Sequence, residues 1–375
     1  MKKVYITSYS CISSLGAGMQ ESLKTLSEEK QPIHIPEKNE KFFLPYFPLK
    51  HKLKPNDNHI LCSELALSLL ELIEGDFKKL KPEIPLFLAT STGGITETEE
   101  VYDSLDKKKA KYPLFERHFF SKIFHDISSK YGNLFRNAGT FSTACSSAGI
   151  SILQAHNYIK GGAIDRALVI GVDVLSMTTM VGFNSLKLVS EKNIKPLTVE
   201  RDGLSLGEGG GILLLESEPA GSPAAEILGC HTNSDGYHIS SPDPEGTQQK
   251  ICINKALEKS GIRPDGIDYI NAHGTGTTLN DEVEMKVIKS VFPVGTAVSS
   301  LKSFLGHTLG ASAAIELALC LGMARDESIY QVKDLGTPMD DAYVVKSSVK
   351  KKVRHFLKNS FGFGGSNVSL VIKNL

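Results

Sequence analysis

The chain has 375 residues, enough for one large layered core or for two fused halves of ordinary size. Its 42 Lys and Arg balance its 42 Asp and Glu, so the composition gives no electrostatic footprint for nucleic acid, and any basic docking surface must be local. No apolar run is long enough to span a bilayer, and six cysteines without a C-x-x-C pair suggest neither a zinc site nor a disulfide framework.

The opening run MKKVYITSYSCISSLG alternates like a strand and lacks the apolar region and cleavage site of a secretory signal, so a cytoplasmic start is expected. Val4 to Thr7 is rich in β-formers, and Ile60 to Ile73 has helical apolar spacing after the turn residues Pro55-Asn56-Asp57-Asn58. Pro85 to Ala89 predicts a buried strand running into Thr90-Ser91-Thr92-Gly93-Gly94, and Val101 to Phe120 is helical in parts. A short strand at Thr140 to Thr143 then leads through Ala144-Cys145 into a small-residue helix from Ser146 to Ile159, stopped by Gly161-Gly162. Ala167 to Val172 and Gly211 to Glu216 are further apolar strands. The second half repeats the idea: a helix at Gln248 to Ser260, a strand at Tyr269 to Ala272, a polar turn at His273 to Thr278 and a helix at Glu282 to Ser290. A strand at Ala297 to Ser299 leads to Leu305-Gly306-His307 and the small-residue helix Gly310 to Arg325. Both halves read as βαβ material with no separating linker, and no residue-level repeat ties one to the other.

The residue types that carry chemistry sit at the ends of these strands. Cys145 opens a helix, where unpaired N–H groups and the positive helix end favour thiolate, although a buried structural cysteine is the common alternative. His273 and His307 both lie in glycine-flanked polar turns, where an imidazole can donate to a carbonyl oxygen or act as a base near neutral pH. The segment Asn359 to Asn367 holds four glycines and two phenylalanines and reads as a loop, beside a pocket or merely a turn with core aromatics.

Taken together, Thr143-Ala144-Cys145-Ser146-Ser147, the NAHGTGT run at 271–277, Lys302 through His307 and the NSFGFGGSN segment resemble the β-ketoacyl-acyl-carrier-protein synthases of the thiolase superfamily. Lys195-Pro196-Leu197, Arg201-Asp202-Gly203 and Gly207-Glu208-Gly209 extend the resemblance over nearly the whole chain. It implies an α/β fold of five layers (αβαβα) built from two βα halves, 1–216 carrying the cysteine and 217–375 carrying both histidines and the glycine-rich loop. It also implies a homodimer, or a heterodimer with a related chain-length-factor subunit, acting with an acyl carrier protein that brings its own phosphopantetheine, with no cofactor bound to this chain.

By matching position, Cys145 takes the acyl group while His273 and His307 hold a malonyl thioester during decarboxylation. The N–H groups of Cys145 and Phe361 match the oxyanion hole, and Phe361 also matches the aromatic gate of the acyl tunnel. Lys302 and Glu316 match a site-organising pair whose plain alternative is a surface ion pair; Asp281 matches an acidic residue after the first histidine. Thr275, Thr277 and Phe363 match contacts of the pantetheine arm, and Lys187 falls where a carrier-docking cation stands. The runs Lys107 to Lys109 and Lys350 to Lys352 read as solvated charge. A thiolase is disfavoured because no cysteine follows Cys320, the initiating type of synthase because His307 stands where it has asparagine, and a non-catalytic chain-length factor because Cys145 is present.

Overall fold

The computed structural model describes residues 1–37, 40–53, 59–106, 115–333 and 336–375. Pro55 to Asn58 and Lys107 to Lys109 lie outside the described residues. Ten strands form the framework: β1 (Tyr5–Ser13), β2 (Ile84–Ala89), β3 (Phe135–Phe141), β4 (Arg166–Asp173), β5 (Gly209–Glu216), β6 (Ala225–Ser234), β7 (Tyr269–Asn271), β8 (Ala297–Ser299), β9 (His355–Phe361) and β10 (Ser366–Asn374). Six helices pack on them: α1 (Leu61–Leu72), α2 (Ser121–Tyr131), α3 (Ser147–Lys160), α4 (Thr247–Ser260), α5 (Thr278–Val291) and α6 (Ser312–Arg325).

The first five strands lie in the order 3-2-4-5-1, and the last five in the order 8-7-9-10-6, which is the same permutation. The pairing senses also coincide. β2 is parallel to β3 and β4, as β7 is to β8 and β9, whereas β5 is antiparallel to its neighbours β4 and β1, as β10 is to β9 and β6. The two half-sheets meet where Tyr5 and Ile6 of β1 pair with Glu226 and Ala225 of β6. A repeated architecture is therefore present in the topology although the sequence shows no residue-level repeat.

Period-two alternation explains the layering. On β4, Ala167 and Val169 enter the central core while Leu168, Ile170 and Val172 enter an outer one; on β5, Leu213 and Leu215 face the centre and Ile212 and Leu214 face out. Strands buried on both faces are apolar throughout, which is why they read as continuous runs. The central layer is α3 and α6, which touch each other and strands of both half-sheets. α1 and α2 cover the outer face of the first half-sheet, while α4 and α5 pack together on the outer side of the second, with α4 against β6 and β10. This is the expected five-layered αβαβα arrangement.

Glycines let the central helix approach. A Cβ on Gly211 would lie 2.5 Å from the Ala314 carbonyl carbon of α6, and one on Gly210 would lie 2.6 Å from a Leu69 methyl of α1. The run Gly209-Gly210-Gly211 is thus a packing surface. Two local expectations change. The segment Asn359–Asn367 is mostly the tip of the β9–β10 hairpin, with only 362–365 outside strands, because Phe361 pairs with Asn367 across it. β6, which sequence periodicity did not show, fills the second half-sheet with a mixed run of apolar, Cys, His and Thr residues. Among the described residues no helix is long and apolar enough to cross a membrane.

Candidate active site

Cys145 stands in a tight turn between β3 and α3. Ala144 has φ 50°, unusual for a residue with a Cβ, and the turn is tied by Ser147 Oγ, which accepts from the Thr143 N–H at 2.9 Å, and by Ser146 Oγ, which donates to the Thr143 carbonyl at 2.7 Å. A further contact of 2.9 Å joins Ser146 Oγ to Ser366 Oγ at the foot of the β9–β10 hairpin. The Cys145 turn and the glycine-rich loop are therefore one packed unit, and a Cβ on Gly362 would lie 3.1 Å from the Ser146 nitrogen.

His307 reaches this turn from the second half. Its main chain is held by a small ladder, with His307 N–H donating to Ser205 O at 2.7 Å and Gly207 N–H donating to His307 O at 3.0 Å. Its Nε2 lies 3.0 Å from Cys145 Sγ. Nδ1 accepts from the Leu309 N–H at 3.1 Å, which requires a lone pair there and so places the proton of the neutral ring on Nε2. His307 is thereby a donor toward Cys145 and not its base. The same tautomer argues against reading Cys145, His273 and His307 as a metal triad, although their ligand atoms all lie within 4.8 Å of one another, since a metal would need the Nε2 lone pair.

His273 meets His307 edge to face, with ring centroids 5.5 Å apart. Two buried carboxylates on α5 hold its loop: Glu284 accepts from the N–H groups of His273 and Gly274, both at 2.9 Å, and Asp281 accepts from Thr275 and Gly276 at 2.9 and 3.1 Å and from Leu197 at 2.7 Å. Asp281 thus lies in the first turn of α5, which begins four residues before the expected start, and its contacts are to the loop backbone. Glu284 was not foreseen. His273 Nδ1 is buried without a hydrogen-bond partner among the described residues.

Electrostatics departs from the sequence expectation at Cys145. Burial pushes its thiol up to about 11, while the Phe363 N–H, Lys302 and its own N–H act in the opposite direction. At rest the group is a thiol, because desolvation outweighs the helix terminus. Burial, then Lys302, hold both imidazoles well below the ordinary histidine range. Lys302 and Glu316 form a wholly buried pair at 2.7 Å, so the surface ion-pair alternative fails.

The glycine-rich loop revises the reading by two residues. The N–H that reaches Cys145 Sγ is that of Phe363, whereas Phe361 is a buried ladder residue whose ring lies 6.3 Å from that of His273. The reason is the hairpin: Phe361 is still in β9, and only after Gly362 does the backbone turn over the thiol. Phe363 stacks on Phe183 at 5.3 Å and lines two cavities. One, of about 210 Å³, is lined by Cys145, His273, His307, Thr275 and Thr277, with exposed Lys187 at its edge. The other, of about 440 Å³, runs past Ala144, Thr179, Leu186 and Leu309. Cys145, Phe183 and Phe363 belong to both. Lys350 and Lys351 instead bond carbonyls elsewhere on the surface.

Residues 74–220 match the family model for the beta-ketoacyl synthase N-terminal domain, and residues 224–335 match that for its C-terminal domain. The 3-oxoacyl-(acyl-carrier-protein) synthase 2 of Coxiella burnetii is 30% identical over 315 residues, 78% of this chain and 76% of the relative. That of Mycobacterium tuberculosis is 34% identical over 245 residues, 61% of this chain, and the match spans 59% of the relative's length. Among solved structures, a chain from a ketosynthase in complex with its chain length factor from Xenorhabdus doucetiae superposes with a TM-score of 0.90 at 28% identity, covering 100% of this chain and 98% of that one. A beta-ketoacyl synthase from Burkholderia phymatum shares the fold, with a TM-score of 0.88 at 24% identity and full coverage of both chains.

Proposed function

The chain belongs to the beta-ketoacyl synthase family, and we propose that it is a 3-oxoacyl-acyl-carrier-protein synthase, joining an acyl group on Cys145 to a malonyl unit with loss of carbon dioxide. The observation that carries this reading is the position of Cys145, 3.0 Å from a donating His307 Nε2 and lining both cavities. The smaller cavity, with Thr275 and Thr277, suits a phosphopantetheine arm delivered by an acyl carrier protein, and the larger suits the acyl chain. Phe363 between them is the gate, and Lys187 at the mouth is the docking cation.

In the first step the Cys145 sulfur attacks the acyl thioester, and the tetrahedral oxyanion is held by the N–H groups of Cys145 and Phe363. The intermediate collapses onto Cys145, and the thiol proton ends on the departing pantetheine sulfur. In the second, His273 and His307 donate to the malonyl thioester oxygen. The bond to the carboxylate breaks, carbon dioxide leaves, and its electron pair becomes the enolate. The enolate carbon attacks the acyl-Cys145 carbonyl, and the expelled thiolate takes a proton from solvent. Neutral imidazoles fit this role, since they stabilise the enolate without needing to lose a proton.

Residues 1–216 and 217–375 are read as two units of one repeated fold, supported by the shared strand order. The cytoplasm is the compartment proposed, in keeping with six free, buried cysteines. A second reading, a ketosynthase subunit active only beside a chain-length-factor partner, is favoured by the likeness to the Xenorhabdus complex. Intact-protein mass spectrometry after incubation with acyl carrier-protein thioesters tests both. One acyl group mapping to Cys145 and absent from Cys145→Ala is expected. No adduct from the chain alone, but one after a chain-length-factor subunit is added, selects the second reading; no adduct in either case refutes both.

A further inference from the structure

Three charged side chains lie together inside the protein, of which the sequence revealed two, and the third, Lys358, pairs across strands with Asn271, two residues before His273. Lys302 is 0% exposed, Glu316 1% and Lys358 1%. Lys302 Nζ donates to one oxygen of Glu316 at 2.7 Å, and Lys358 Nζ, arriving from β9, lies 2.9 Å from the other, an ion-pair contact outside hydrogen-bond geometry. Lys358 also donates to the Asn359 carbonyl and lies 3.4 Å from Ser360 Oγ, on the strand that leads into the gating loop. A buried ion pair would be neutral with Lys302 and Glu316 alone. A second buried cation without its own counter-charge works against stability, so the fold does not require it.

We propose that Lys358 is a positioning residue of the active site: with Lys302 it fixes both oxygens of Glu316, and it leaves one uncompensated positive charge within reach of His273 and His307. The proposal rests on the condensing reading above. Burial is the first reason both rings resist protonation; Lys302 and Lys358 act in the same direction on each. Burial draws Lys358 itself below the ordinary ammonium range, against the pull of Glu316.

The other groups facing the rings leave that field unopposed. His307 meets Cys145, Ser312 and the Leu309 N–H. His273 meets His307 and Phe361, and Glu284 is occupied by the backbone N–H groups of its loop. Asp173 is engaged with Gly310 beyond His307. Neither ring is hydrogen-bonded to a carboxylate among the described residues. Lys358 thus adds to burial and Lys302 in favouring neutral imidazoles and places a further cation beside the pocket where a malonyl carboxylate arrives and an enolate forms.

The test is an imidazole titration by NMR on the full chain with isotopically labelled histidine, His273 and His307 being identified by difference from His273→Asn and His307→Asn. In Lys358→Met both rings are expected to protonate about one pH unit higher than in the parent, the order of effect of one charge several ångströms away. Lys358→Arg should keep the parent titration. Unshifted rings in Lys358→Met, or Lys358→Arg titrating like Lys358→Met, overturn the proposal. Lys358→Met leaves Lys302 and Glu316 paired, so its unfolding temperature should equal or exceed the parent's, and a chain that fails to fold marks Lys358 as structural and also overturns it. Carbon dioxide release from malonyl carrier-protein thioester on the same samples separates the two claims: a parent that releases none, alone and with a chain-length-factor subunit added, refutes the condensing reading, while the titration reports on Lys358 whatever the turnover.

Discussion

Replacing Gly207 by alanine should disable one chemical step and spare the other. Gly207 belongs to the small ladder that holds His307, donating to its carbonyl at 3.0 Å, and a Cβ there would sit 2.0 Å from the Leu305 carbonyl oxygen. Real Cβ atoms essentially never approach closer than 3.0 Å, so the backbones must part by at least 3.0 − 2.0 = 1.0 Å. If the His307 segment takes all of that, a displacement of about 1 Å costs about 10²-fold in rate, or about 2.7 kcal/mol; shared equally between the segments, it costs roughly tenfold. Cys145 is carried by the separate β3–α3 turn and meets the shifted segment through the 3.0 Å contact with His307, which donates to the sulfur and is not its base. Single-turnover loading of Cys145, followed by mass spectrometry, should therefore stay near the parent rate while carbon dioxide release and condensation fall. Unchanged condensation in a folded Gly207→Ala chain, or an equal fall in loading, would refute the assignment of His307 to the second step.

Other substitutions separate gate, scaffold and charge. Phe363→Ala keeps the backbone N–H but removes the ring shared by the two cavities, so competition among acyl thioesters should lose about tenfold of its chain-length preference while decarboxylation holds; preserved preference would place the gate elsewhere. Asp173 accepts from Thr90, Ser91, Thr92 and Gly310, and Asp173→Asn would turn an amide toward those donors. A loss of about 2–4 kcal/mol in denaturant unfolding is expected, and an unshifted midpoint would contradict it. Burial lowers His156 to about 4, so between 6.5 and that value the folded chain binds fewer protons at this site than the unfolded chain, and the site loses stability as pH falls. Relative to the parent, His156→Leu should gain roughly 1.4 kcal/mol per pH unit across that window, and parallel stability curves would disprove it.

Cys145 and both histidines were legible as candidates because each stands at a strand end or helix start whose glycines and small residues set it off from its surroundings, whereas Lys302 and Glu316, the latter inside α6, were legible only through the family resemblance. The amide over the thiol was read two residues early, since Phe361 and Phe363 have the same spacing from a glycine and only the hairpin turn decides which amide covers Cys145. Lys358 was invisible because it looks like any strand lysine, and its burial depends on Glu316, 42 residues earlier, presenting its second oxygen. Glu284 and Asp173 escaped notice for a related reason: Glu284 serves backbone N–H groups of the loop before its own helix, and the partners of Asp173 are N–H groups and hydroxyls of distant loops, so neither follows a side-chain motif. The helix start was read as favouring thiolate, but burial pushes the Cys145 thiol the other way, because a helix terminus is a local feature and desolvation is a property of the finished interior.

The twin order of the two half-sheets has a consequence for biogenesis. The first five strands bring the sulfur, and the last five bring both imidazoles, the Phe363 amide and the Lys358 ammonium, so the reactive centre exists only where the two halves pack against each other, along a seam separate from the β1–β6 pairing. During synthesis a ribosome would expose the thiol well before its partners had emerged, and in that interval the nascent protein would be chemically silent toward malonyl thioesters. Two separately produced fragments, divided in the stretch between Glu216 and Ala225, should be inert alone and recover turnover on mixing, making catalysis a direct reporter of whether the seam has closed.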